Sequence, residues 1–434
     1  MAEGGRGNFS AALSCAEFRA MWAAEGLSVV GDQLARVALA LVVFDRTSSA
    51  SLTALTYALT FAPSVLGGFL LSGLADRYAR RAVIVSTDVI RGGLAIAMAL
   101  PGLPLPAMWC LVGVLTLAGA PFKGAQLALL PDVLPADLLQ AGLGLRQVTM
   151  QIAQVAGFGL GGLLVPLLGA GPVLAINGGT FLLSAAIVLV GVRPRPAARH
   201  APAAERSAAP AIANPRYAGQ LAAPVILISM IGLLEVPEGI AAPFAKTAGA
   251  ASFAVGLLMA ANPVGSAIGG WWAGRSRSVA SPFAVLVPAI AAGLPLMAAM
   301  VPSLPVAALS WAVSGALSTC YLVRLQPVVL AIVPDNRRGT VMGRLSTCII
   351  TSQGLAIVVA GVVADRIGPA PTVAVSGALA SAVALGAAFV WTRTRPRQER
   401  AAEDESEPPG RRRSPVFVAH ASPPGVSGGG KGRS

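Results

Sequence analysis

The chain has 434 residues, 55% of them hydrophobic and only 12% charged, and its mean hydropathy is +0.71. A soluble fold cannot cover that much apolar surface, so composition excludes a globular enzyme or regulator and points to a bilayer. The formal net charge of +13 suggests a nucleic-acid partner until its location is read: the arginines crowd into short loops and a tail, which is the pattern of membrane orientation.

Residues 1–19 are polar and show no apolar core with a cleavage site, so no removable signal peptide is expected. A bilayer core takes about 20 apolar residues to cross. Twelve runs reach that length: 20–44, 51–75, 82–101, 106–130, 139–168, 171–192, 221–245, 252–274, 282–301, 304–330, 341–363 and 370–392. Many of their ends carry turn chemistry, as at Pro101–Pro106, Gly169–Pro172, Pro302–Pro305 and Gly368–Pro371. With residue 1 in the cytoplasm, the inner loops hold Arg6, Arg19, Arg77, Arg80, Arg81, Arg193, Arg195, Arg199, Arg206, Arg216, Arg275, Arg277, Arg337 and Arg338. The outer loops then hold only Arg46, Lys246 and Arg366. That imbalance predicts a multi-pass protein of the cytoplasmic membrane with both termini inside.

The predicted organisation is a cytoplasmic N-terminus (1–19), a six-helix half (20–192), a Pro-, Ala- and Arg-rich cytoplasmic linker (193–220), a second six-helix half (221–392) and a disordered cytoplasmic tail (393–434). The halves carry a faint repeat. Pro63 pairs with Pro263, Lys123 with Arg324, Gln126 with Gln326, Pro131-Asp132 with Pro334-Asp335, and Gly178 with Gly377, at offsets of 199 to 203. A common offset along half the chain predicts two pseudo-symmetric halves of an all-α membrane fold.

Charge inside the membrane costs about 2.5–3.5 kcal/mol per residue on insertion scales, so each instance asks for a reason. In the first run Asp32 and Arg36 are four residues apart and share a face with Glu25. Low-dielectric surroundings favour a neutral Asp32 and a neighbouring Arg36 an ionised one, so Asp32 is a candidate proton-coupling group with Arg36 as its partner; a static ion pair is the alternative. In the seventh run Glu235 and Glu238 flank Pro237, where a broken helix would line a cavity. They, with Glu25, Gln126 and Gln326, are candidate substrate contacts. Asp88, Arg91, Lys123, Arg146 and Arg324 lie at inner depth and join Asp76, Arg77, Arg80 and Arg81 as candidate inner-gate groups; Arg344 is read as snorkelling. Gln147, Gln151 and Gln154 repeat along the fifth run and are read as hydrogen-bonding glue between helices rather than as pathway. Trp271-Trp272 reads as packing.

Chemistry of other kinds finds little support. Cys15, Cys110, Cys320 and Cys348 are scattered, with no metal or disulfide pattern. The terminal GVSGGGKGRS has Gly432 where a phosphate loop needs Ser or Thr. His200 and His420 sit in predicted loops. No metal, no cofactor and no catalytic residue is expected.

The stretch GGFLLSGLADRYARR (Gly67–Arg81) resembles the Gly-x-x-x-Asp-Arg-x-Gly-Arg-Arg loop of the major facilitator superfamily, with Ser72 and Ala79 in place of its glycines. GDQLARVALALVVF (31–44), PFKGAQLALLPDVLPADLLQAGLGLRQ (121–147) and NGGTFLLSA (177–185) resemble its bacterial drug and macrolide exporters. GFGLGG (157–162) resembles the antiporter motif Gly-Pro-x-x-Gly-Gly, with Phe158 in the Pro position and the packing glycines Gly157, Gly161 and Gly162 kept. The resemblance, over residues 18–392, implies twelve helices and a monomer that exports a small amphipathic molecule in exchange for protons by alternating access, with helices 1, 4, 7 and 10 around the site. An importer of the same fold and a non-transporting receptor or scaffold remain open alternatives.

Overall fold

The structure, a computed structural model, describes residues 9–71, 74–135, 137–195, 215–275, 282–301, 303–333 and 338–406, with the backbone alone at 75–76, 215–218, 338–340 and 394–406. It falls into two units, Met1–Trp391 and Thr392–Ser434. Among the described residues, twelve long helical segments follow in order: α1 (Ala16–Thr47), α2 (Ala50–Leu71), α3 (Arg80–Met98), α4 (Leu105–Val133), α5 (Leu139–Leu168), α6 (Ala170–Gly191), α7 (215–247), α8 (Phe253–Arg275), α9 (Pro282–Met300), α10 (Leu304–Ile332), α11 (Arg338–Ile367) and α12 (Pro369–Ser406). Among the described residues, eleven segments are long and apolar enough to cross a membrane. The other is α3, where Arg80, Arg81, Asp88 and Arg91 interrupt the apolar sequence.

Three expected boundaries need correction. The first membrane-length helix starts at Ala16, four residues early. Helix α7 starts at Pro215, inside the expected linker, and the rest of that linker (196–214), with His200, lies outside the described residues. In the second unit the chain stays helical to Ser406, where disorder was expected. Gln, Glu, Arg and Ala between 397 and 403 are strong helix formers, and extending an existing helix avoids the cost of a new nucleus. The tail beyond 406, with His420, lies outside the described residues.

Proline sets the breaks that shape the interior. It has no N–H and its ring crowds the carbonyl four residues back. Thus α2 is interrupted between Leu59 and Pro63, and α7 divides into Pro215–Ser229, Ile231–Leu234, Val236–Gly239 and Ala241–Thr247, with Pro237 and Pro243 at its breaks.

Among the described residues, two long helix–helix contacts join the halves within the first unit. Segment Ala50–Leu59 of α2 runs along α11, and α5 lies on α8. Small residues permit both approaches. A Cβ on Gly162 of α5 would stand 2.8 Å from Gly256 Cα and from Phe253 O of α8, and one on Gly361 would stand 2.8 Å from Ser51 Cα. Beyond the α2 break, Pro63–Leu71 turns to α4 and touches α11 little. Leu66, Phe69 and Leu70 are 58–73% exposed there. The halves therefore meet at the end that carries Asp45 and Lys246 and part at the end that carries Arg77–Arg81.

Candidate functional site

Between the halves lies a cavity of about 380 Å³. From the first half it is walled by Arg36 of α1, Tyr57 and Phe61 of α2, and Gln147, Gln151 and Gln154 of α5. From the second it is walled by Glu235 and Glu238 of α7, Asn262, Pro263 and Ser266 of α8, Thr319 of α10, and Gln353 and Ile357 of α11. The break at Pro237 turns the two carboxylates of α7 into it. Helix α4, expected at the site, contributes no lining residue among those described.

The charges of this cavity are held in an unusual way. Glu238 is 4% exposed and accepts a 2.5 Å hydrogen bond from the Tyr57 hydroxyl, across the two halves. The Arg36 guanidinium lies over the Tyr57 ring at 5.6 Å and the Phe61 ring at 5.9 Å, a favourable cation–π placement. Among the described residues no ion pair within 4 Å involves Arg36, Glu235 or Glu238. Asn262, also on the wall, accepts from Ser266 at 3.1 Å.

The expected Asp32–Arg36 pair does not form. Asp32 takes both its bonds, at 2.9 and 3.2 Å, from Arg91. Arg91 also reaches Asp88 at 3.4 Å and lies 4.0 Å from the Phe181 ring centre, and Asp88, fully buried, accepts from Ser184 at 2.6 Å. Sharing a helix face allowed the nearer pairing, but the equally long Arg91 of α3 reaches both carboxylate oxygens of Asp32 through its Nη2 while its Nη1 turns to Asp88. Asp32 lines a small void of about 30 Å³ with Arg36.

Glu25, expected at the substrate, is instead gripped by Arg146 with bonds of 2.5 and 2.6 Å, and Gln126 accepts from the same guanidinium at 3.4 Å. Neither residue lines the cavity, and neither does Gln326, which is exposed. The glutamines of α5, read as glue, are the wall itself. Their spacing identified a polar stripe, but which neighbour that stripe faces is a tertiary fact.

The candidate gate groups bond within their own half. Arg80 reaches Asp132 at 2.6 Å and the Ala128 carbonyl at 2.7 Å, Arg81 the Leu189 carbonyl, and Arg324 the Ala284 carbonyl at 3.0 Å. Arg324 also lies over Trp272 at 4.9 Å. Arg77 and Lys123 are exposed, and the Asp76 side chain lies outside the described residues. Polar contacts that cross the halves occur elsewhere. Besides Tyr57–Glu238, Lys246 pairs with Asp45 at 2.9 Å. The Asp365 carboxylate of α11 accepts from the backbone N–H of Ala50 at 2.6 Å and of Ser51 at 3.1 Å, and from the Ser49 hydroxyl at 3.0 Å. Asp365 thus caps the N-terminus of α2 from the opposite half, where free N–H groups and the helix dipole favour an anion. The glycines of α5 serve two neighbours: Gly157 and Gly161 lie on α1, and Gly162 on α8.

A two-half helical bundle with a polar cavity between its halves is the architecture of a membrane transporter. The family model of the Major Facilitator Superfamily matches residues 21–234 and again 225–425, and the chain belongs to that family. It is a transporter and not an enzyme. An uncharacterized MFS-type transporter, YkuC of Bacillus subtilis (strain 168), is 24% identical over 164 residues, which is 37% of this chain and 38% of that protein. A bacterial homolog of the human lysosomal transporter Spinster, inward-facing and unoccupied, superposes with TM-score 0.66 at 16% identity over 87% of this chain and 97% of its own. A POT family transporter in complex with 5-aminolevulinic acid gives 0.70 at 11%, covering 87% and 96%. The nucleoside transporter NupG gives 0.63 at 15%, covering 86% and 99%. At these identities the likeness is one of fold.

Proposed function

We propose that this transporter exports a small amphipathic molecule in exchange for protons, acting as a monomer in the cytoplasmic membrane with both termini inside. The observation that carries the reading is the cavity. Residues of both halves surround one arginine and two carboxylates that have no ion-pair partner among the described residues. Phe61, Pro263 and Ile357 offer apolar wall and the glutamines of α5 offer polar wall, which suits an amphipathic cargo. The 5-aminolevulinic acid bound to the POT neighbour supports small organic cargo in this fold. The arginine-rich loops support the orientation, and the helix-5 glycine motif supports antiport.

Proton coupling is best placed on Glu235 and Glu238 rather than on Asp32, because Asp32 is already neutralised by Arg91. A proton or a cationic group of the cargo satisfies the same carboxylates, so each displaces the other, and that competition is exchange. Rocking of the halves about the cavity then presents it to either side. Asp76, Arg77, Arg80 and Arg81, with Arg146 and Arg324, are the proposed inner-gate groups, and closing the open end would have Arg80, Arg81, Arg146 and Arg324 exchange contacts within their own half for contacts across the halves.

Inverted membrane vesicles acidified inside test this reading. Addition of cargo should release protons in a protein-dependent manner, and Glu235→Gln should abolish the release while Asp32→Asn spares part of it. Uptake into right-side-out vesicles without proton release would instead establish the importer.

A further inference from the structure

Resting on the transport reading above, we infer that the cargo is a zwitterion, with an anionic group for Arg36 and a cationic group for the Glu235–Glu238 pair. The charges of the first half show how this chain treats a buried ion when nothing has to bind it. Asp32 and Asp88 share Arg91, and Glu25 has Arg146, each with close geometry. The cavity departs from that rule. Among the described residues its arginine is held by aromatic faces and its carboxylates by a tyrosine hydroxyl and neutral neighbours.

An arginine and two carboxylates that face one cavity without pairing have been kept apart by the scaffold. The Tyr57 ring does this. Its hydroxyl donates to Glu238 while its face supports the guanidinium, so one side chain fixes both charges and separates them. A molecule that carries both signs restores the missing partners in one step: a carboxylate meets the planar guanidinium in bidentate fashion, and an ammonium meets the two glutamates. A purely cationic cargo leaves Arg36 unpaired and facing like charge. A purely anionic cargo leaves both carboxylates unpaired. Since the cavity has one carboxylate more than it has cations, the empty cavity takes up a proton, and the ammonium of the zwitterion displaces it on meeting both glutamates. Gln147, Gln151 and Gln154 line the same cavity and suit a polar middle.

The test uses the purified full-length chain in detergent and measures stabilisation against heat. Probes are the free amino acids and free dipeptides, their C-terminal amides, their N-acetyl forms, and tetraphenylphosphonium as a monocation. The expected result is stabilisation by one or more of the free zwitterions, with affinity lowered at least about tenfold, or 1.4 kcal/mol, by blocking either end. Arg36→Gln should abolish the preference for the free compound over its amide, and Arg36→Lys should retain part of it. The blocked-probe comparison on the wild-type protein stands even if the variants fold poorly. The inference is overturned if no zwitterion stabilises the protein, or if tetraphenylphosphonium or an amide binds as tightly as the best zwitterion. Proton release from vesicles with tetraphenylphosphonium alone sinks the zwitterion and keeps the transport reading; no release with any compound sinks the transport reading itself.

Discussion

Removing the Asp365 carboxylate should open the end of the molecule that is closed here. Asp365→Ala deletes an acceptor that takes two backbone N–H groups and one hydroxyl from the start of α2. Loss of an N-cap costs about 0.5–2 kcal/mol. The helix-dipole contribution of an anion adds about 0.3–1 kcal/mol. The bonds are charge-assisted, which raises their worth, but the site is exposed, which lowers it, so the middle of both ranges applies and the total is about 2 kcal/mol. These contacts exist only while the halves meet at this end, so the whole amount falls on the closed state and shifts the ratio of states about thirtyfold. The neighbouring Lys246–Asp45 pair is exposed and is worth at most about 1 kcal/mol. The assay is side-specific alkylation of Gln154→Cys by an impermeant maleimide in oriented vesicles, with Cys15, Cys110, Cys320 and Cys348 replaced. The parent should react only from the arginine-rich end. Asp365→Ala should react from the other end at a rate raised about tenfold or more, Asp365→Asn less, and Asp45→Asn least. Unchanged rates in a folded Asp365→Ala protein would refute the reasoning.

Tyr57→Phe leaves Glu238 buried without its donor, a loss of about 1.5–3 kcal/mol for a charged acceptor; the thermal midpoint should fall and exchange should slow, and an unaffected exchange rate would remove the tyrosine from the mechanism. Arg91→Leu strands two carboxylates, and breaking a buried pair in this way costs about 3–5 kcal/mol, so the variant should fail to accumulate in membranes. Arg91→Lys should rescue it poorly, because a single ammonium cannot replace the two guanidinium nitrogens that reach Asp32 and Asp88 separately. Gly162→Val drives a side chain into the α8 backbone at Gly256 and should make the cavity reachable from the normally closed end; alkylation restricted to the arginine-rich end would show that α5 yields there without parting the halves.

Much of the fold was legible because its signals are local. Hydropathy runs, turn chemistry and loop arginines report single segments, and α5 was placed residue for residue. The break at Pro237 was legible for the same reason, and with it the pair Glu235 and Glu238. Partner choice was not. Asp32 had Arg36 one turn away in sequence, yet Arg91, from another helix, took it. Glu25 and the glutamines of α5 exchanged their expected roles because helix rotation decides whether a polar side chain meets a neighbour or the cavity, and no period within one helix records the identity of the face opposite. Tyr57, the link between the two charge signs, gave no signal of its own: a tyrosine in an apolar run looks like packing.

The charges of α3 bear on how the protein is made. A helix with Asp88 and Arg91 near its centre is a poor candidate to enter a bilayer by itself. Its neutralising contacts come from Asp32 of α1, already synthesised, and from Ser184 of α6, which emerges much later. Until α6 arrives, Asp88 has only Arg91 to stabilise it. The first half therefore has to be assembled as a group, with α3 held at the translocation machinery or against α1 while α4 and α5 are added. Sequence changes that weaken the α3–α6 contact, such as enlarging Gly92 or Gly178 where the two backbones touch, should act at birth, as lost insertion and degraded chains, before any cargo is moved.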